Sequence, residues 1–114
     1  MDVQKTCMSG LGLGLRQEDG AVVLDTRPEH EWKPGIIHFA VLATMAEIAA
    51  AEAVGAPVSP ASFTMSLLER ASPGRLEARG RVLRKGKRLA VVEGEVFSRG
   101  VLVAKAVTTF ALLQ

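Results

Sequence analysis

From Phe39 to Val54 the chain reads FAVLATMAEIAAAEAV, with 13 of 16 residues apolar and Glu47 in the middle. A helix apolar on nearly all sides must be largely enclosed by the rest of the protein. A carboxylate inside it carries a large desolvation cost unless it is paired, hydrogen-bonded or protonated. Glu47 follows His38 by nine residues, about two and a half turns from the helix entrance. A displaced carboxylate at a fixed distance from a helix start marks a candidate site. The second group of interest is Arg84, Lys85, Lys87 and Arg88. Arginine forks and lysine point charges suit phosphate, although a run of this kind also serves as a solvated β-turn. Nucleic acid is the weaker partner for it, because no aromatic platform accompanies the turn.

Other residue types offer less. Two distant histidines, His30 and His38, and one cysteine, Cys7, make no metal-ligand cluster. Glu52 lies five positions past Glu47, about 140° around the helix, as a solvated or subunit-contact charge. The GLGLGL run over residues 10–15 lacks the following helix that a phosphate-cradling loop needs. It reads as the start of a strand whose glycines permit close packing.

The elements that position these residues follow from pattern. Residues 10–16 and Ala21 to Thr26 read as a hairpin across the polar break Gln17-Glu18-Asp19-Gly20. A loop from Arg27 to Gly35 follows, with two prolines and the only tryptophan. The long helix starts at about His38 and stops at Gly55, with Pro57 and Pro60 behind it. Beyond it the chain reads as strands: Ser62 to Arg70, Arg75 to Val82, Leu89 to Phe97 and Val101 to Leu113. Arg75, Glu77, Arg79 and Arg81 alternate with Leu76, Ala78 and Gly80, the period-two pattern of a sheet with one wet face. The expected order is ββ-α-ββββ, an α+β fold in which a curled antiparallel sheet wraps one long central helix, its later strands forming a meander. One small sheet leaves part of the helix and an edge uncovered, so self-association is expected.

Composition sets the limits. A chain of 114 residues builds one domain, 1–114, with residues 1–9 expected to be a mobile segment. A net charge of +2 gives no global nucleic-acid footprint. A single cysteine fits a reducing compartment. MDVQKTCMSG contains no apolar run of signal-peptide length, and Phe39 to Val54 is short of a membrane span. The expectation is a soluble cytoplasmic protein.

The segment from Pro28-Glu29-His30 to Glu47 resembles a pattern of the small hot-dog-fold acyl-CoA thioesterases of the phenylacetate-degradation (PaaI-like) type. That pattern is P-E-H-x-N-x-x-G-x-x-H-G-G, with an acidic residue nine positions after the second histidine. Gly35, His38 and Glu47 fall in register. RKGKRLAVVE from Arg84 to Glu93, Gly100 and Thr108-Thr109-Phe110 resemble the closing strands, so the similarity runs from about Leu11 to Leu113.

The resemblance implies hydrolysis of acyl-CoA thioesters at a dimer-interface site, with no cofactor beyond the coenzyme A of the substrate and no metal. The backbone N–H of Phe39 would hold the thioester carbonyl. Glu47, acting across the interface, would be base or nucleophile, and His38 would shape the helix entrance. Gly35, Ala40, Trp32 and Ala51 occupy positions around the substrate, and Arg84, Lys85, Lys87 and Arg88 would meet the coenzyme A phosphates. Where the family keeps two glycines this chain has Phe39 and Ala40. Trp32 stands at the family's amide position, and Ala51 stands where a threonine is common. Tryptophan has one donor and no acceptor, so it does not replace an amide that orients water. These departures keep a second reading open: a non-catalytic hot-dog domain that binds acyl-CoA or another apolar ligand, or serves as an assembly module. A hydratase is disfavoured because its Asp-x-x-x-x-His spacing is missing. The functional unit is expected to be a homodimer or a dimer of dimers.

Overall fold

The structure, a computed structural model, describes residues 12–113; the segment expected to be mobile, with Cys7, lies outside them. Strands β1 (Arg16–Glu18) and β2 (Ala21–Asp25) form a hairpin. A 3-10 turn (Pro28–His30) leads into a two-stranded ribbon of β3 (Glu31–Lys33) and β4 (Ile36–Ile37). Helix α1 (Phe39–Val54) follows, then β5 (Val58–Leu67), β6 (Arg75–Lys85), β7 (Leu89–Ser98) and β8 (Val101–Leu112). The six long-sheet strands lie in the order β1-β2-β6-β7-β8-β5, all pairs antiparallel. This is the expected α+β architecture of one helix against one antiparallel sheet.

The two ends of α1 are set by local chemistry. His38 is extended at φ −64°, ψ 137°, and its Nδ1 accepts from Ala40 N–H at 3.0 Å, capping the first turn. Gly55 closes the helix in the left-handed region at φ 72°. The sheet presses backbone against backbone on α1. A Cβ at Gly80 would collide with Ala49 O, and one at Gly94 with Ala46 O. Leu24, Leu76, Ala78, Val96 and Ala106 fill the core around Met45 and Ala46. Ala50 and Val54 pack on Val92 and Phe110 at the other end. The opposite sheet face is wet, as the alternation predicts. There Glu93 is 6% exposed under Arg81 and Lys105, at 2.7 and 3.3 Å, and these charges, Arg81 first, hold its carboxyl below the ordinary range.

Five details correct the sequence reading. The first strand starts at Arg16 rather than near residue 10, because Gly12 and Gly14 adopt φ of 69° and 80°, outside strand geometry. The turn accordingly tightens to Asp19-Gly20, both at positive φ. The Arg27–Gly35 loop contains the 3-10 turn and half of the β3–β4 ribbon. The later strands are not a simple meander: β5 passes β6 and β7 to pair with β8 at the sheet edge. Pro60, expected behind the helix, lies within β5 at a register shift, where an edge strand tolerates its missing N–H.

Candidate active site

The entrance of α1 is fixed from two sides. His38 N–H donates to His30 O at 2.9 Å, and Ile37 N–H donates to Ala71 O at 2.9 Å. His30 is 2% exposed, and its Nδ1 accepts from Arg27 N–H at 2.9 Å. His30 thus locks the ribbon to the helix start as a structural residue. Ala40 N–H is taken by the His38 ring and Val41 N–H by His38 O, whereas Phe39 N–H has no hydrogen-bond partner among the described residues. A free N–H at the positive end of a sixteen-residue helix is a donor for a developing oxyanion. The His38 ring stacks on the Phe39 ring, centroids 4.9 Å apart at 25°. With Nδ1 occupied as an acceptor, His38 serves the helix entrance and not as a base through that nitrogen.

A cleft of about 580 Å³ opens at this end of the helix. Trp32, Ile36, His38, Phe39 and Leu42 form one wall, and Leu67 and Leu68 at the end of β5 form another, with Glu69 and Arg70 at the rim. Trp32 and Phe39 are 57% and 55% exposed, so both rings face the opening. Lys33 Nζ sits 4.5 Å from the Trp32 ring centroid.

Glu47 is not in that cleft. It is half-buried on a stripe of α1 that the sheet leaves open: Ala40, Ala43, Thr44, Glu47 and Ala51, with Glu52 and Ala53 open on another side beside Gln17 and Gly20. Spacings of three and four residues put all five on one face. Burial pushes the Glu47 carboxyl above the ordinary carboxylate range. Its Cα lies eight residues from that of Phe39, about 12 Å along the axis, farther than a glutamate side chain reaches. Within one chain the two groups do not converge.

The other expected site residues are dispersed as well. Gly35, at φ 89°, makes the β3–β4 turn, its N–H donating to Glu31 Oε1 at 2.7 Å. The basic turn stands at the far end of α1, where Lys85 Nζ donates to Val54 O at 3.4 Å, about 22 Å along the axis from Phe39. Lys85 therefore also stabilises the negative end of the helix. Arg84, Lys87 and Arg88 are exposed there. Sequence reasoning missed Leu42, Leu67, Leu68 and Arg70 in the cleft. The Leu67-Leu68 pair was the available signal, since adjacent apolar residues break strand alternation where the strand ends.

Residues 28–111 match the family model of the acyl-CoA thioesterase N-terminal domain. No curated protein matches the chain significantly. Among solved structures, a variant of the phenylacetic acid degradation protein PaaI from Thermus thermophilus is 28% identical, with a TM-score of 0.80 over 93% of this chain and 99% of that one. A phenylacetic acid degradation-related protein from Ralstonia eutropha is 27% identical, with a TM-score of 0.77 over 91% and 87%. The BH2602 protein from Bacillus halodurans, solved with CoA, shares the fold at 20% identity, with a TM-score of 0.80 over 90% of this chain and 75% of that one.

Proposed function

The chain belongs to the acyl-CoA thioesterase N-terminal domain family, within the hot-dog thioesterase superfamily, and from that premise we propose that it hydrolyses acyl-CoA thioesters at a site shared by two subunits. The observation that carries this reading is the placement of a free helix-terminal N–H and a destabilised carboxylate about 12 Å apart on one helix. A partner helix running antiparallel across a two-fold axis resolves the gap. Setting Phe39 against the partner's Glu47 sets Glu47 against the partner's Phe39, with the axis beside Ala43. Ala40, Ala43 and Ala51 on the open stripe are small enough for close approach of two backbones.

The same register carries Val54, and with it the basic turn, about 10 Å past the start of the partner's helix, toward the end at which the partner's cleft opens. Each site then combines the cleft and Phe39 N–H of one subunit with Glu47, Lys87 and Arg88 of the other. The acyl group lies among Ile36, Phe39, Leu42 and Leu67, and the nucleotide phosphates meet the basic turn. The long edge strand β5, with Phe63 and Leu67 39% and 55% exposed, is a further uncovered apolar surface available to the dimer. Phe39 N–H stabilises the oxyanion, and Glu47 acts as base on water or as nucleophile.

The test is Glu47→Gln in the dimer: loss of a general base lowers turnover by about 10²–10⁴-fold. Full turnover of the best acyl-CoA by this variant refutes the assignment. The exposed rings of Phe39 and Trp32 favour one second reading, a binding domain that holds acyl-CoA without cleaving it. Calorimetric binding of acyl-CoAs by the wild type, with no release of free thiol, would establish that reading instead.

A further inference from the structure

A carboxylate that deprotonates water must also hold it, since one hydrogen bond leaves the oxygen free to swing away from the carbonyl carbon. Trp32 offers no acceptor for that purpose. On the stripe of α1 that carries Glu47, the only side-chain polar atoms belong to Glu47 and Thr44, the other members being Ala40, Ala43 and Ala51. Thr44 precedes Glu47 by three residues, and side chains at that spacing are neighbours, with Cβ atoms about 5–6 Å apart. Two water hydrogen bonds of about 2.7–2.8 Å each span such a gap.

The Thr44 hydroxyl is also in a defined state. Its O–H donates to Ala40 O at 2.8 Å, a bond back along the helix that fixes the side chain and uses its one proton. The oxygen lone pairs remain as acceptors. With the partner's Glu47 against Phe39, the partner's Thr44 falls at the axial level of Leu42, whose side chain lines the cleft from the core side of the helix.

We propose that Thr44 is the positioning residue that holds the attacking water for Glu47 of the same subunit, in the site completed by the partner's cleft. The inference rests on the thioesterase reading above. One water proton is held by the Glu47 carboxylate and the other by Thr44 Oγ1, which leaves an oxygen lone pair directed at the thioester carbon. The water oxygen bonds to that carbon as its proton passes to Glu47, and the carbonyl oxygen takes the negative charge at Phe39 N–H. Collapse of the intermediate breaks the carbon–sulfur bond. The coenzyme A thiolate then takes the proton from Glu47, giving acid and free thiol.

The experiment compares Thr44→Val, Thr44→Ala and Thr44→Ser with wild type and Glu47→Gln on one acyl-CoA. Thr44→Val keeps the shape and removes the acceptor, and Thr44→Ala covers the case in which valine impairs folding. Both should lower kcat about tenfold, the size of one hydrogen bond. KM should hold, because the interaction is with water and not with substrate. Thr44→Ser should recover most of the loss. Wild-type kcat in the valine or alanine variant overturns the proposal, as does a deficit shared by the serine variant or one confined to KM. If Glu47→Gln is inactive while Thr44→Val is not, this inference fails and the thioesterase reading stands. A wild type that turns over no member of an acyl-CoA panel overturns both.

Discussion

Replacing Phe39 by proline separates the oxyanion donor from everything else at the helix entrance. Phe39 is the first residue of α1, where proline is favoured because its missing N–H has no intrahelical partner and its φ suits a helix. The residue before a proline must be extended, and His38 already is, at φ −64°, ψ 137°. No hydrogen bond is lost, since Phe39 N–H has no partner among the described residues. The only group removed besides that N–H is the Phe39 ring, and Phe39→Ala removes the ring while keeping the N–H. The ratio of kcat between the two variants therefore reports the donor alone. A single oxyanion donor contributes about 10²–10³-fold to kcat, about 2.7–4 kcal/mol. Phe39→Pro should fall below Phe39→Ala by that factor on any acyl-CoA, measured by release of free thiol, with thermal midpoints of the two variants within a few degrees. Equal kcat values, with both variants folded, would refute the claim that this N–H holds the carbonyl oxygen.

Neutralising Lys87 and Arg88 together should raise KM for acyl-CoA with kcat nearly unchanged, because solvent-facing phosphate contacts are alike in ground and transition states. A short thioester lacking the nucleotide should not sense the change, and wild-type KM at low salt would mean the turn is only a solvated loop. Gly94→Ala should destabilise the fold by about 3 kcal/mol, the upper part of the overpacking range, because the new methyl meets the backbone of Ala46; a shift in urea midpoint reads it. The raised Glu47 pKa has two pH signatures. Activity should climb with pH through that pKa, since the base must be ionised. A raised folded-state pKa gives stability that is full below the unfolded value of about 4.3 and lost as pH rises through the folded one. Glu47→Gln should therefore be more stable than wild type at neutral pH, the gap closing in acid.

The sequence carried the local decisions well. The helix could be bounded from His38 to Gly55 because both ends use short-range chemistry: a capping side chain, a left-handed glycine and a proline behind it. The alternation from Arg75 to Arg81 foretold which sheet face would be wet. Partner choice among strands was not legible, since β5 pairs with β8 through contacts spanning from 37 residues (Leu67 with Ala104) to 54 (Val58 with Leu112) and no local pattern encodes which edge it joins. Gly12 and Gly14 were open to strand or turn by residue type alone; their positive φ decided it. The cleft was half legible, because Trp32, His38 and Phe39 lie in one segment while Leu67, Leu68 and Arg70 reach it from another.

The candidate site separates further, and for a geometric reason. A nine-residue spacing from His38 to Glu47 specifies a distance along a helix, and that distance is too long for the two groups to act on one carbon. Read within a single chain, the motif describes two half-sites and no whole one. In the proposed dimer it becomes an active-site description, because a two-fold axis near Ala43 turns every spacing along α1 into a spacing across the interface. That dimer would use the small residues on the open stripe for close approach, and would bring a basic turn at the wrong end of its own helix to the right end of the partner's. A dimer-breaking charge at Ala43, such as Ala43→Glu, should accordingly abolish turnover while leaving each subunit folded, and sedimentation together with circular dichroism would read both results. An active, folded monomer would sink the shared-site argument, because one chain alone holds its donor and its carboxylate about 12 Å apart.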